Sequence, residues 1–251
     1  MNAELLQDVV RQVLSEMKLE SSNILSNEYN YGIFDDMEAA INASETAQRK
    51  LFECSVQQRN EFANVIRREV LKKDNLEMIS RDAVEETEIG RFEDKILKNK
   101  VAAEKTPGME DLTTRAITGK DGLMIEEYCP FGVIGSITPT TNPTETLINN
   151  SISMIVGGNT VVFSPHPRAK NVSIKLVKMM NKALEEYGAP RNMITMVKEP
   201  SIENTNLMMS NPKVKLLVAT GGPFIVNTVL SSGKKAIGAG AGNPPVVVDE
   251  T

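Results

Sequence analysis

From Glu4 to Met17 apolar residues recur three and four apart, so Leu5, Leu6, Val9, Val10, Val13, Leu14 and Met17 form one stripe of a helix. Asp8, Arg11, Gln12, Ser15 and Glu16 fall on its other side. The stretch SSNILSNEYNYG that follows is polar with little periodicity and reads as a linker over residues 21–35. A short amphipathic helix tethered in this way cannot bury its stripe within itself. Residues 1–20 are therefore expected to dock on a partner surface, with packing on the chain's own domain as the alternative. From Asp36 to about Lys105 the pattern is helical and charged, in DDMEAAINASETAQRKLFE, VQQRNEFANVIRREVLKK and DNLEMISRDAVEETEIG. Gly119-Lys-Asp-Gly122 then separates two strand-like runs, a hairpin signal over about 113–129.

Beyond residue 130 strands and helices alternate. In PFGVIGSITPTTNPTETLINN, Val133, Ile134 and Ile137 suit a buried strand that Pro139 cannot continue. Asn142 before Pro143 reads as a helix N-cap with proline at the first helical position, and Glu145 falls in the first turn. NTVVFS, NMITMV and VKLLVAT read as strands, and KAIGAGAG and PPVVVDE as strand-like pieces. RAKNVSIKLVKMMNKALEEYG, IENTNLMMS and GGPFIVNTVLSSG are the intervening helices. Such alternation predicts an α/β fold, a Rossmann-like parallel sheet with N-terminal helices and a β-hairpin arm. Ligands collect beyond the carboxyl ends of such strands, which here are TPTTN, SPHPR and ATGGP.

Charge and composition narrow the chemistry. A formal net charge of −5 without basic blocks argues against nucleic-acid binding. No apolar run reaches the roughly 18 residues of a membrane span, and no signal peptide precedes the first helix, so a cytosolic location is expected. Cys54 and Cys129 are too few for a disulfide framework, and neither lies in a CxxC pair. His166 is the only histidine, which disfavours a His-based zinc site or a Ser-His-Asp triad; no metal site is expected.

Each loop allows a structural and a chemical role. The glycines of ATGGPF let backbone approach a ligand at a helix start, or merely allow tight packing. GAGAGNPP offers similar closeness without a helix dipole. In SPHPR, Arg168 with Lys170 could meet a phosphate, or the loop is a solvated helix start. Cys129 lies beside Glu126 and Glu127, which oppose thiolate formation, and Cys54 follows Glu53; both read as structural thiols.

Taken in order, PFGVIGSITPTTNPTE, VVFSPHPRA, VATGGP and GAGAGNPPVVVDE resemble the aldehyde dehydrogenase superfamily across essentially the whole chain. SPHP with GAGAGNPP resembles its CoA-acylating branch, the acetaldehyde and propionaldehyde dehydrogenases. The resemblance implies NAD-dependent oxidation of a short aldehyde to an acyl-CoA, with coenzyme A as acyl acceptor. It also implies that Asn142 donates its amide to the oxyanion formed when a cysteine thiolate attacks the carbonyl. Thr138, Pro139, Thr140, Ser164, His166, Pro167, Arg168, Thr220, Gly221, Gly222, Pro223 and Gly240 are the positions it assigns to cofactor binding. Ser164 stands where hydrolytic relatives have a ribose-contacting lysine and Pro167 where they have a ribose-binding glutamate, which leaves NAD versus NADP open. Their water-activating glutamate would fall near Ala239, and its absence suits a thiol acceptor of pKa about 8.5. The family's nucleophilic cysteine lies downstream of PPVVVDET, so residues 36–251 are expected to be a nucleotide-binding domain without the catalytic one. Acylating relatives in bacterial microcompartments often carry an amphipathic extension, which implies that Glu4–Met17 docks on shell or cargo proteins. The hairpin implies an oligomerisation arm and a homo-oligomer at full length. A non-catalytic scaffold module, the aldehyde half of a bifunctional aldehyde-alcohol dehydrogenase, and a glutamyl-phosphate reductase are the rival readings.

Overall fold

The computed structural model describes residues 30–240, 242 and 245–249, so the Glu4–Met17 stripe and most of the linker lie outside the described residues. The described chain opens with strand β1 (Ile33–Phe34) and four helices, α1 (Met37–Phe52), α2 (Val56–Leu71), α3 (Lys73–Thr87) and α4 (Phe92–Lys105). Asp36 caps α1 by accepting from the backbone N–H groups of Glu38 and Ala39 at 2.9 and 3.1 Å. Ser55 and Gln58 close a reciprocal capping box at the start of α2. The hairpin follows as β2 (Arg115–Gly119) and β3 (Gly122–Glu126), antiparallel, with Gly119 opposite Gly122. Both strands are exposed along their whole length.

The remaining elements are β4 (Val133–Thr138), α5 (Pro143–Val156), β5 (Thr160–Pro165), a 3₁₀ turn (Pro167–Ala169), α6 (Lys170–Glu186), β6 (Ile194–Val197), α7 (Ile202–Ser210), β7 (Val214–Thr220), α8 (Pro223–Leu230) and β8 (Ala236–Ala239). Six strands form one parallel sheet in the order β1-β6-β5-β4-β7-β8. From central β4 the chain steps outward to β5 and β6, then crosses back to the other side of β4 for β7 and β8. That reversal is the topological switch at which ligands of such sheets bind.

Every residue of β4 and β5 is buried, as central parallel strands with helices on both faces require. Ile134, Val161, Phe163 and Ile194 pack with α2, α5 and α6 on one face. Val133, Ile137, Val162 and Leu217 pack with α1, α7 and α8 on the other. A Cβ at Gly135 would stand 3.0 and 3.1 Å from Leu217 and Met208 side-chain atoms, so the missing side chain lets α7 lie close on β4.

Two sequence boundaries move. The 21–35 linker ends early, because Ile33 and Phe34 pair with Met196 and Val197 and extend the sheet. PPVVVDE makes no strand over residues 245–249; Val246, Val247 and Val248 are 80–94% exposed. A β-branched run becomes a strand only with a neighbour to bond and a surface to cover, and among the described residues it has neither.

Candidate functional site

Asn142 occupies the N-cap position of α5, but its side chain caps nothing. Its backbone, φ −138° and ψ 63°, lies off the extended conformation from which a cap oxygen reaches back to the first turn. Instead its Oδ1 accepts a hydrogen bond from Lys98 Nζ of α4 at 3.2 Å. An ammonium only donates, so the amide oxygen must face Lys98 and Nδ2 is left as the outward donor.

The loop is anchored from beneath. Lys95 Nζ, 2% exposed, donates to the Thr141 carbonyl at 2.7 Å and pairs with Glu145 Oε1 at 3.2 Å. Thr144 Oγ1 donates to the other oxygen of Glu145 at 3.1 Å. The Asn142 carbonyl accepts from Thr146 Oγ1 at 2.6 Å and from the Thr146 N–H at 3.2 Å. Beside this corner opens a cleft of about 570 Å³ whose lining includes Leu97 and Val101 of α4, Asn142, Thr146 and Asn150, and Thr220 at the end of β7. Thr138 Oγ1, at the carboxyl end of β4, is buried with no hydrogen-bond partner.

The β7–α8 corner is equally bare. Gly222 is the N-cap of α8 and Pro223 its first residue, with no side chain capping the helix. A Cβ on Gly222 or Gly240 would meet nothing within 4 Å, so backbone there faces open space. Uncapped first-turn N–H groups with the helix dipole behind them form an anion-receptive surface. Pro139 is buried in the wall behind, and Thr140, Thr220 and Gly221 are half-buried.

The SPHPR corner differs. Ser164 is buried, its hydroxyl 2.8 Å from Thr205 Oγ1 on α7. Arg168 donates to the Thr87 carbonyl at the end of α3 at 3.0 Å, and Lys170 pairs with Glu199 at 2.6 Å. The first-turn N–H groups of Asn171 and Val172 in α6 donate to the two oxygens of Glu86 at 2.8 and 2.7 Å. His166 and Pro167 are exposed, with the His166 ring accepting from the Arg168 N–H at 3.2 Å. None of residues 164–168 lines the 570 Å³ cleft. The cleft thus joins the β4–α5 corner to the end of β7, while the β5 loop, whose Ser164 and Pro165 lie beside Ile137 and Thr138 in the sheet, has its polar groups engaged by α3, α7 and the chain after β6.

Neither thiol reaches this edge of the sheet. Cys129 is exposed before the amino end of β4, opposite the edge that carries Thr138. Cys54 lies in the α1–α2 turn, where burial raises its thiol above the usual range; Arg59 opposes that rise and Glu53 adds to it. Among the described residues no cluster of metal-binding side chains occurs.

The family model for the aldehyde dehydrogenase family matches residues 26–251. The chain belongs to the aldehyde dehydrogenase family. It is 46% identical over its whole length to the propanal dehydrogenase (CoA-propanoylating) of Citrobacter freundii, of which it covers 53%. An engineered glycolyl-CoA reductase with bound NADP+ superposes with a TM-score of 0.86 at 58% identity, over 88% of this chain and 50% of that one. A propionaldehyde dehydrogenase from the fucose utilisation bacterial microcompartment of Clostridium phytofermentans superposes at 0.84 with 50% identity, over 88% of this chain and 50% of that one. The α/β architecture is therefore the aldehyde dehydrogenase fold, and the chain spans about half the length of these CoA-acylating relatives.

Lys95, Lys98 and Glu86 escape a reading of motifs. For Lys95 the one sequence signal is register: Lys95, Asn99 and Ala103 recur four apart on the buried side of α4, which places a lysine where an apolar residue belongs.

Proposed function

We propose that this chain is the nucleotide-binding part of an enzyme that converts a short aldehyde and coenzyme A to an acyl-CoA with reduction of NAD or NADP. The observation that carries the reading is the free Asn142 Nδ2 beside a cleft that also reaches Thr220, two residues before the uncapped start of α8. A bound dinucleotide would supply the hydride acceptor for the oxidation. The α8 N–H groups and Gly222 suit its pyrophosphate, while Thr138, Thr140 and Thr220 offer hydroxyls along the same edge. Asn142 would donate to the carbonyl oxygen as a thiolate adds to the carbon, and losing one such donor typically raises a barrier by about 2.7–4 kcal/mol. With Cys54 and Cys129 both remote, the 251-residue chain is expected to bind nucleotide and to form no acyl-CoA by itself. The relatives' names, one CoA-propanoylating and one a structure holding NADP+, support both cosubstrates.

The microcompartment origin of one structural neighbour supports a docking role for Glu4–Met17 on shell or cargo proteins, and a location inside such a compartment. The exposed apolar hairpin residues Ile117, Leu123 and Ile125 suit an arm that joins copies of the full-length protein. Among the described residues no helix is long and apolar enough to cross a membrane.

Calorimetric titration of the chain with NAD+, NADP+ and coenzyme A tests the central reading. Saturable dinucleotide binding is expected, with no NADH formed when propanal and coenzyme A are added. Absence of any saturable nucleotide site would make the chain a scaffold and overturn the assignment. A fluorescent protein carrying residues 1–20 that stays diffuse beside assembled shells would remove the docking role.

A further inference from the structure

We infer that Lys98 is a positioning residue that orients and polarises the Asn142 amide, and that the buried Lys95–Glu145 pair holds the loop on which it does so. The inference rests on the reading of Asn142 as an oxyanion donor and adds the device that keeps that donor aimed. An asparagine amide can present either end by turning about χ2. A lysine ammonium on Oδ1 at 3.2 Å allows one orientation only, with Nδ2 turned away from Lys98. The same positive charge draws electron density toward the oxygen and makes the N–H groups stronger donors, as charge-assisted contacts do. The backbone on both sides is fixed independently: Lys95 holds the Thr141 carbonyl, and Thr146 holds that of Asn142.

Lys95 argues that the arrangement is more than packing. Burying an ion pair is costly, and apolar residues of similar volume stabilise as well or better. The pair here does what apolar side chains cannot, because its ammonium also bonds the carbonyl of the residue preceding Asn142. Lys98 is one turn further along α4, so a single helix supplies both contacts. An oriented donor needs little rearrangement when negative charge develops, which is the condition for electrostatic stabilisation.

Nuclear magnetic resonance of the 251-residue chain tests this without turnover. The Asn142 side-chain amide is assigned by its loss in Asn142→Asp. In Lys98→Met its Nδ2 protons should move upfield and rotation about the amide C–N bond should speed up. Lys98→Arg should restore both toward the parent values. Lys98 is exposed, so unchanged backbone resonances elsewhere will verify the fold. An Asn142 amide signal unmoved by Lys98→Met, or moved and not recovered by Lys98→Arg, overturns the positioning role. The amide signals are read on the chain without nucleotide and the dinucleotide titration on the parent chain, so the two readings fail separately.

Discussion

At the β5–α6 corner the chain satisfies its own helix start, with Glu86 on two first-turn N–H groups, Arg168 tied to α3 and Ser164 to α7. At the β7–α8 corner, two strands away both along the chain and across the sheet, Gly222 and Pro223 open a helix that no side chain caps. Both corners begin a helix behind a parallel strand, and both carry the same dipole. An anion that arrives from solution competes with an internal carboxylate at the first and with water alone at the second. Of these two helix starts, only that of α8 is left unfilled by a side chain of the chain itself. The β4–α5 corner is open in the same sense at its rim, yet it is anchored from below by α4.

That anchor predicts the largest effect. Glu145→Ala would leave the buried Lys95 ammonium with the Thr141 carbonyl but without its counter-charge, and breaking a buried pair in this way typically costs about 3–5 kcal/mol. Denaturant unfolding should show it as a lowered midpoint. The double replacement Lys95→Met with Glu145→Leu should recover most of the loss. If the single variant unfolds at the parent midpoint, the corner is not held from beneath and its likeness to the β7–α8 corner becomes complete.

The comparison breaks most directly at Glu86. Glu86→Ala empties the α6 start and should cost about 1–2 kcal/mol, the range for losing a good N-cap with its charge. Added sulfate should then recover part of the unfolding midpoint in the variant and add less to the parent. Equal sulfate responses would mean that the Glu86 contacts do not fill the site in solution.

These pairings explain what could be read from sequence and what could not. The hairpin was legible because Gly119 and Gly122 bracket a two-residue turn, and β4 and β5 because buried parallel strands are continuous apolar runs. Both signals are local. Asn142 was legible as the N-cap position, since that depends on Pro143, but the fate of its side chain depends on Lys98, 44 residues away. For Ser164 and Arg168 the internal partners, 41 and 81 residues distant, leave no local trace in the sequence. PPVVVDE failed for the opposite reason: its pattern is right for a strand, but a pattern cannot supply the neighbouring strand.

The smallest predicted effect tests the open β4–α5 rim itself. Replacing an asparagine N-cap by alanine usually costs about 0.5–2 kcal/mol, because a first-turn N–H loses its acceptor. No first-turn N–H donates to the Asn142 side chain here, and the bond its Oδ1 accepts comes from an exposed lysine. Asn142→Ala should therefore change the unfolding free energy by no more than about 0.5 kcal/mol, as ordinary surface substitutions do. Asn142→Ser separates the two possibilities further, since serine is as good a cap as asparagine. If Asn142 caps α5 in solution, alanine should destabilise and serine should not. If its amide is reserved for a ligand, neither change should matter to unfolding. A loss near 1 kcal/mol in the alanine variant that serine repairs would close the rim as Glu86 closes its own, and would leave α8 as the one open helix start of the three.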